Sequence, residues 1–488
     1  MYMDDPATAF LRRLACSQRL QAAHTGPEPL DPAVFAKQIE EELAKEDRDA
    51  VYYPVESPKG RELRDAVLAI EELMAEIFMH CLPRMPVDEY SWPSPSRAPL
   101  LVASVCRRWR RVALSTPTLW NSFPLGEEFS LRLFRLWMER SGEASTLHLS
   151  ADSDSLEVAL PYSRRWGSLK LDLDPSSIPA LAAIQGHMPR LRRLFLKFPL
   201  DQDVQCGTPS CDVFETAPNL CSVVLKNPPI DFDLPCSQLL DLGVFGAPAD
   251  YLLRVSQLAS NLTELKIGMD SMSSNFLDMP LCTLVHLEYL WASDLSLPNY
   301  SQASAIVRPF CQLGLLLSKF SCPALNEIEL HTLARLRDSD IPTFKRDIVS
   351  FLARSPLIAQ MKIQHLAFNE DILLSILAHV PALEKFTTNH KTTFSTAFFK
   401  RLTYVADAVP PPLCPRLRSF DVRWCTPEAT ESASAFVDMV VSRWRVASDD
   451  PIARLEYVSF NYADDPESSA RLAELTNEGL EIVLRGTI

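Results

Sequence analysis

In the stretch MPRLRRLFLKF, residues 188–198, Leu191, Leu194 and Leu196 spell the phrase Leu-x-x-Leu-x-Leu, and Leu194-Phe195-Leu196 alternates apolar positions around a middle residue. Such alternation marks a short strand with one buried face. The phrase returns at Leu220 (APNLCSVVLKN), Leu239 (CSQLLDLGVFG), Leu262 (ASNLTELKIGM), Leu287 (LVHLEYLWASD) and Leu325 (CPALNEIELHT). It continues at Ile358 (SPLIAQMKIQH), Leu383 (VPALEKFTTNH), Leu417 (CPRLRSFDVRW) and Leu455 (IARLEYVSFNY), with 19 to 38 residues between successive starts. RRWGSLKLDL, with Leu169 and Leu171, is an earlier member, and GLEIVLRGTI reads as a terminal strand.

Between the strands lie helical stretches such as DYLLRVSQLAS, with Asp250 as the expected cap, and NEDILLSILAHV, with Asn369 in that role. A strand and a helix per unit, stacked so that neighbours bury each other's leucines, is the arrangement of a leucine-rich-repeat solenoid. The Asn or Cys that usually follows the third apolar position is replaced by Pro199, Pro228 and Ala247. Irregular turns are therefore expected, and a different α/β repeat fits the pattern as well.

A second pattern precedes the repeat. In AIEELMAEIFMHCL, Ile70, Leu73, Met74, Ile77, Phe78 and Cys81 fall at the spacing of one helical stripe, with Glu71, Glu72 and Glu76 off it. Pro83 and Pro86 end that helix, and WPSPSRAP reads as a loop. A second helix is predicted from Ala98, with Leu101, Val105, Trp109 and Val112 on one side and Arg107, Arg108, Arg110 and Arg111 reaching into solvent. Those arginines suit a solvated face or an acidic protein better than a phosphate backbone. Short helices over about 50 residues bury too little to stand alone, so the unit must lean on the rest of the chain or on a partner.

Glu72-Leu73-Met74 with Ile77-Phe78, then Val105-Cys106-Arg107-Arg108-Trp109, then Pro117 to Trp120, resemble the F-box of fungal, basidiomycete-type F-box proteins with irregular leucine-rich repeats. The family opens its box with Leu-Pro, where this chain has Ala69-Ile70. The resemblance implies an α/β protein with an F-box-like domain at 68–123 and a leucine-rich-repeat solenoid at 124–488. By the same resemblance Ile70, Leu73, Met74, Ile77, Phe78, Val105 and Trp109 would carry contact to a Skp-type adaptor, or the core behind it. A cullin and a RING subunit would join through that adaptor, making the chain the substrate receptor of an SCF-type ubiquitin ligase. Target binding is expected on the middle and trailing positions of the repeated strands, at Phe195, Phe245, Trp291, Glu329, Lys362 and Arg423, since aromatic and Arg side chains carry most interface energy. The alternatives are an interaction scaffold with a degenerate F-box, which Ala69-Ile70 favours, and an enzyme with an unrecognised site.

Composition bounds these readings. With 488 residues and 47% hydrophobic side chains there is ample core material, and 38 Pro against 13 Gly are spread along the length as if punctuating a period. A formal charge of −14 argues against a broad footprint for nucleic acid or a membrane surface. The 12 Cys form no Cys-x-x-Cys pair and sit mostly in apolar runs, which fits a reducing, cytoplasmic or nuclear setting. Cys206, Cys211 and Cys221 have no His at metal-type spacing, so no metal is expected. His80 and His148 read as structural or surface groups. Hydrolase-elbow, phosphate-loop, dinucleotide and His-Glu-x-x-His motifs are absent, so neither a catalytic residue nor a cofactor is nominated. No apolar run approaches the ~20 residues of a membrane span, and MYMDDPATAF lacks a signal-peptide layout. Residues 1–60, with Asp31 as a plausible cap, read as a helical or partly disordered lead.

Overall fold

The structure, a computed structural model, describes residues 58–81, 98–125, 131–199, 211–229, 231–271, 276–293, 312–331, 339–364, 370–389, 394–406, 411–423, 430–447, 450–461 and 466–485. The lead before residue 58, residues 92–97 of the WPSPSRAP stretch, Cys206 and Asn369 lie outside the described residues, whereas Ala98 and Pro99, read as the end of that loop, open a helix. The described part is α/β and contains a large parallel sheet. It divides into two compact units, Met1–Leu194 with Thr216–Asn219, and Phe195–Glu215 with Leu220–Ile488.

The first unit begins with helices Pro58–Cys81, Ala98–Val105 and Arg107–Ser115. The sequence reads the last two as one, but the chain turns extended at Cys106 (φ −160°, ψ 169°), whose Sγ accepts the Trp109 N–H at 3.5 Å. That bond caps one of the N–H groups a new helix leaves unsatisfied. The expected stripe is thereby interrupted: Leu101 and Val105 are exposed, whereas Val112 and Ala113 are buried. Trp120, in the 3-10 turn Pro117–Trp120, anchors the next helix. Its Nε1 donates to the Ala113 carbonyl at 2.8 Å, and its ring meets Trp137 of helix Leu131–Ser141 edge-on at 4.6 Å. Phe123, on strand β1 (Ser122–Pro124), packs 5.3 Å from Trp137 and 5.4 Å from Phe134. β1 pairs in parallel with β2 (Leu147–Asp152), and β2 with β3 (Trp166–Asp172), so the parallel ladder begins before the first recognisable repeat phrase. The division between units falls within β4 (Arg193–Lys197).

The second unit holds β5 (Ser222–Lys226), β6 (Asp241–Pro248), β7 (Glu264–Ser271), β8 (Cys282–Thr283), β9 (Tyr289–Ser293) and β10 (Phe320–Ser321). Then come β11 (Glu327–His331), β12 (Gln360–Gln364), β13 (Lys385–Asn389), β14 (Ser419–Arg423), β15 (Tyr457–Asn461) and β16 (Glu481–Arg485). β8 and β10 pair only with each other; the rest pair in parallel in chain order. Side chains alternate across a strand, so each five-residue strand sends its second and fourth residues to one face. Val223, Leu242, Leu265, Leu290, Ile328, Met361, Phe386, Phe420 and Val458 make one buried row there. Leu225, Val244, Ile267, Ala292, Leu330, Ile363, Thr388, Val422 and Phe460 make the other. Helices cover these rows, as where Phe436 of helix Thr430–Trp444 stacks on Phe460 at 4.2 Å.

The first leucine of the phrase belongs to the turn before each strand. The N–H groups of Leu262, Leu287, Leu325, Leu383 and Leu417 donate to the carbonyl three residues earlier, as Leu191 does in the first unit. In MPRL, CPAL, VPAL and CPRL the second turn position is Pro, whose fixed φ suits it. The first position is buried, by Met188, Cys322, Val380 and Cys414. Burial pushes the Cys322 and Cys414 thiols up to about 12, so both act as small apolar groups.

At the leading ends of the strands a backbone ladder links successive units. The carbonyls of Leu240, Thr263, Glu288, Asn326, Ala359, Glu384 and Arg418 each accept two successive N–H groups at the start of the next strand, at 2.7–3.1 Å. Beside Pro228, Asn227 adds a side-chain bond, its Nδ2 donating to the Phe198 carbonyl at 3.1 Å. The expected irregularity appears in β6, whose register to β7 shifts around Gly246. Gly246 has φ +69°, and a Cβ there would lie 2.1 Å from Asn227 Oδ1. Asp250 is not the cap of helix Ala249–Leu258 but sits in its first turn, after Pro248, where a carboxylate still favours the helix dipole.

Arg443 is fully buried in helix Thr430–Trp444. Its Nε donates to the Leu402 carbonyl at 2.6 Å and its Nη1 to the Cys414 carbonyl at 3.0 Å, while Nη2 donates to Leu413. Burial lowers its pKa to about 10, so it stays charged at neutral pH. Arg443→Met is expected to cost about 3–5 kcal/mol in urea unfolding, because it strands three carbonyls. Leu383→Ala is expected to cost about 2–5 kcal/mol, and the same change at exposed Leu258 under about 0.5 kcal/mol. Equal midpoints for the two leucine variants would contradict the repeat core.

Candidate interaction surfaces

The first surface lies on the opening helices. Phe78 is 1% exposed and its ring sits 5.0 Å from that of half-buried Trp109. This pair joins helix Pro58–Cys81 to helix Arg107–Ser115, helped by Arg111 Nη2 donating to Glu71 Oε1 at 2.7 Å. Of the residues singled out for adaptor contact, Phe78 is therefore core. Ile77 and Met74 are half-buried, while Ile70, Leu73 and Val105 are 46%, 62% and 56% exposed. Leu101, which the stripe placed on the packed side, is also exposed. Isolated exposed leucines are ordinary; here four large apolar side chains stand out on helices Pro58–Cys81 and Ala98–Val105.

The second surface is the face of the second unit's sheet opposite the helices, where first, third and fifth strand positions emerge. Strands about 4.8 Å apart bring these side chains into contact along rows. Lys226 Nζ lies 5.7 Å from the Phe195 ring centroid and 5.9 Å from that of Phe245, a cation between two phenyl faces. Phe245 meets Trp291 at 5.5 Å, and Trp291 meets His331 at 4.9 Å. His331 Nε2 and Glu329 Oε1 are 2.6 Å apart, and Lys362 Nζ is 2.7 Å from the same oxygen. Gln364 Nε2 donates to it at 3.3 Å, and the Tyr289 hydroxyl reaches Glu329 Oε2 at 3.5 Å.

Five of the six positions proposed for target contact thus belong to one connected band. Their exposure corrects the expectation, however: Phe245 and Glu329 are buried within it, and Phe195, Trp291 and Lys362 present the accessible part. The Arg423 side chain lies outside the described residues. Lys226, Tyr289, His331 and Gln364 escaped the sequence reading. Aligning the phrases in register would have found three of them, because VVLK, IELH and MKIQ end at the position Phe245 occupies in LGVF.

Burial alone would raise the Glu329 carboxyl, but hydrogen bonds from His331 and Lys362 and the Lys362 charge outweigh it, leaving Glu329 below its ordinary 4.5. Burial lowers Lys226 to about 8. Among the described residues no group of three His, Cys, Asp or Glu could hold a metal ion, and no helix is long and apolar enough to cross a membrane.

No protein-family model matches the chain, and no curated protein matches it. Among solved structures, it is similar to a chain of the crystal structure of the Rad7 and Elc1 complex in yeast, at 12% identity and a TM-score of 0.27, covering 75% of this chain and 94% of that one. A likeness of that degree carries no argument about function.

Because the folded-state pKa of Glu329 is depressed, its contribution to stability is present above about pH 4.5 and is lost as pH falls through the lowered value. Glu329→Gln is therefore expected to cost about 1–3 kcal/mol at pH 7, with the gap to wild type closing as pH falls below 4.5 in urea unfolding. A gap independent of pH would mean that the ion cluster adds nothing.

Proposed function

We propose that the chain is the substrate receptor of an SCF-type ubiquitin ligase. The opening helices dock on a Skp-type adaptor, which brings a cullin and RING subunit, and the repeats hold the target protein. The observation that supports this best is the exposure of Ile70, Leu73 and Val105 within the segment that resembles an F-box. Apolar side chains left outside a small helical module gain burial only from a partner, at about 25 cal/mol per Å². Residues 68–123 would form the docking domain, and 124–488 the receptor for the target.

In this reading the chain performs no chemistry. It raises the effective concentration of target lysines near the conjugating enzyme. The band from Phe195 to Lys362 mixes aromatic faces with charged groups, which suits a protein surface. The site of action would be cytoplasmic or nuclear, in keeping with cysteines that serve as apolar packing.

One observation favours the rival reading of a repeat scaffold with a degenerate box. Helix Pro58–Cys81 runs without interruption through Ala69-Ile70, so the Leu-Pro corner of the family has no counterpart. Binding to a purified Skp-type adaptor decides between them. Ile70→Asp with Leu73→Asp, and Val105→Asp separately, should each weaken binding at least about tenfold while leaving circular dichroism unchanged, because these side chains are exposed. Phe78→Asp should instead unfold the module. A folded wild-type chain with no affinity for the adaptor would sink the receptor reading and leave the scaffold.

A further inference from the structure

A cavity of about 260 Å³ opens in the first unit between the leading ends of β2 and β3 and the turn MPRLRR. Arg190, Arg192 and Arg193 line it together with His148, Ser168 and Asn219, and among the described residues no carboxylate does. In a chain of formal charge −14, three guanidinium groups around one small cavity, with no acid among its described walls, make a local positive field.

The lining is braced by its own hydrogen bonds. Arg193 Nε donates to Ser168 Oγ at 3.1 Å, Arg190 Nη1 to the Ala144 carbonyl at 2.8 Å and Asn219 Nδ2 to the Pro189 carbonyl at 2.7 Å. A guanidinium has five N–H donors, so one such bond orients Arg190 or Arg193 and leaves further donors for a ligand. The wall is shaped by an extra residue in β3. Leu147 pairs with Trp166 but His148 pairs with Ser168, so Gly167 is the odd residue, and a Cβ on it would lie 2.2 Å from Thr146 Cγ2. Burial first, then the neighbouring Arg193, push the His148 imidazole down to about 4. At neutral pH the ring is uncharged, and its buried Nδ1 has no hydrogen-bond partner among the described residues.

We propose that this cavity is a binding site for a phosphoryl group, with Arg190, Arg192 and Arg193 as its anion-binding side chains and His148 and Ser168 as neutral polar walls. Forked guanidinium donors match phosphate oxygens in geometry as well as charge. The volume lies just below the roughly 300–1,000 Å³ typical of small-molecule pockets and is enough for a phosphate or phosphomonoester. The site is independent of the adaptor surface and does not rest on the receptor reading.

The test is titration of the full-length chain with inorganic phosphate and, in parallel, with a phosphoserine peptide and its unphosphorylated twin, read by calorimetry and by thermal melting. One-site binding that raises the melting temperature is expected. Arg190→Gln and Arg192→Gln should each weaken it about tenfold or more, whereas exposed Arg418→Gln in the second unit should not. Because both test arginines are exposed, the ligand-free melting temperatures should match wild type and show that loss of binding is not loss of fold. Equal affinity for phosphate and phosphopeptide would point to the free anion as the source; a tighter phosphopeptide would point to a phosphorylated protein. Either outcome supports the site. No phosphate-dependent shift, or one that survives the Arg190→Gln/Arg192→Gln double variant, would overturn it.

Discussion

A five-residue strand held in parallel register can hide only its second and fourth side chains from water on one face. Nearly everything in the second unit depends on that constraint. Register is transmitted from strand to strand by carbonyls that each accept two N–H groups, so the apolar rows stay aligned from Val223 to Val458 and from Leu225 to Phe460. Once those rows are buried, the turn leucines, the covering helices and the three rows on the opposite face have fixed places. Slipping one strand by a single residue would exchange its buried and outer sets.

The same constraint gives some Pro and Cys residues a place. The turn ahead of several strands has a position that suits the fixed φ of Pro, and the residue before that Pro is buried. Cys322 and Cys414 stand there. Arg443 is the exception that the packing tolerates: a buried cation whose three bonded carbonyls supply what water would otherwise have given.

The two interaction surfaces differ in physical kind. On the opening helices, apolar side chains are left in water because the module is too small to cover them. On the sheet, the outer rows solve their own solvation by pairing cation with ring and acid with base, so the band from Phe195 to Lys362 is ordered before any partner arrives. Such preorganisation lowers the entropy cost of binding, at the expense of side chains, such as Glu329, that are already committed to neighbours.

Periodicity in the chain was enough to locate the repeat strands and their buried leucines, though not β1, β8 or β10, because alternation and turn residues are local properties. It also located five of the band's residues, since the third and fifth positions of each repeat strand can be counted. Local pattern could not tell that the chain would turn extended at Cys106 and leave Val105 exposed, because Trp109, on the next helix, packs on Phe78 from a distant part of the chain. Nor could it tell that Phe245 would be enclosed by Lys226 and Trp291, or Glu329 by Tyr289 and Lys362, from other strands. The arginine cavity was invisible for the same reason. Nothing in the repeat phrase singles out Arg190, Arg192 and Arg193; tertiary structure sets them beside His148 and Ser168, and only proximity in space turns charges into a site.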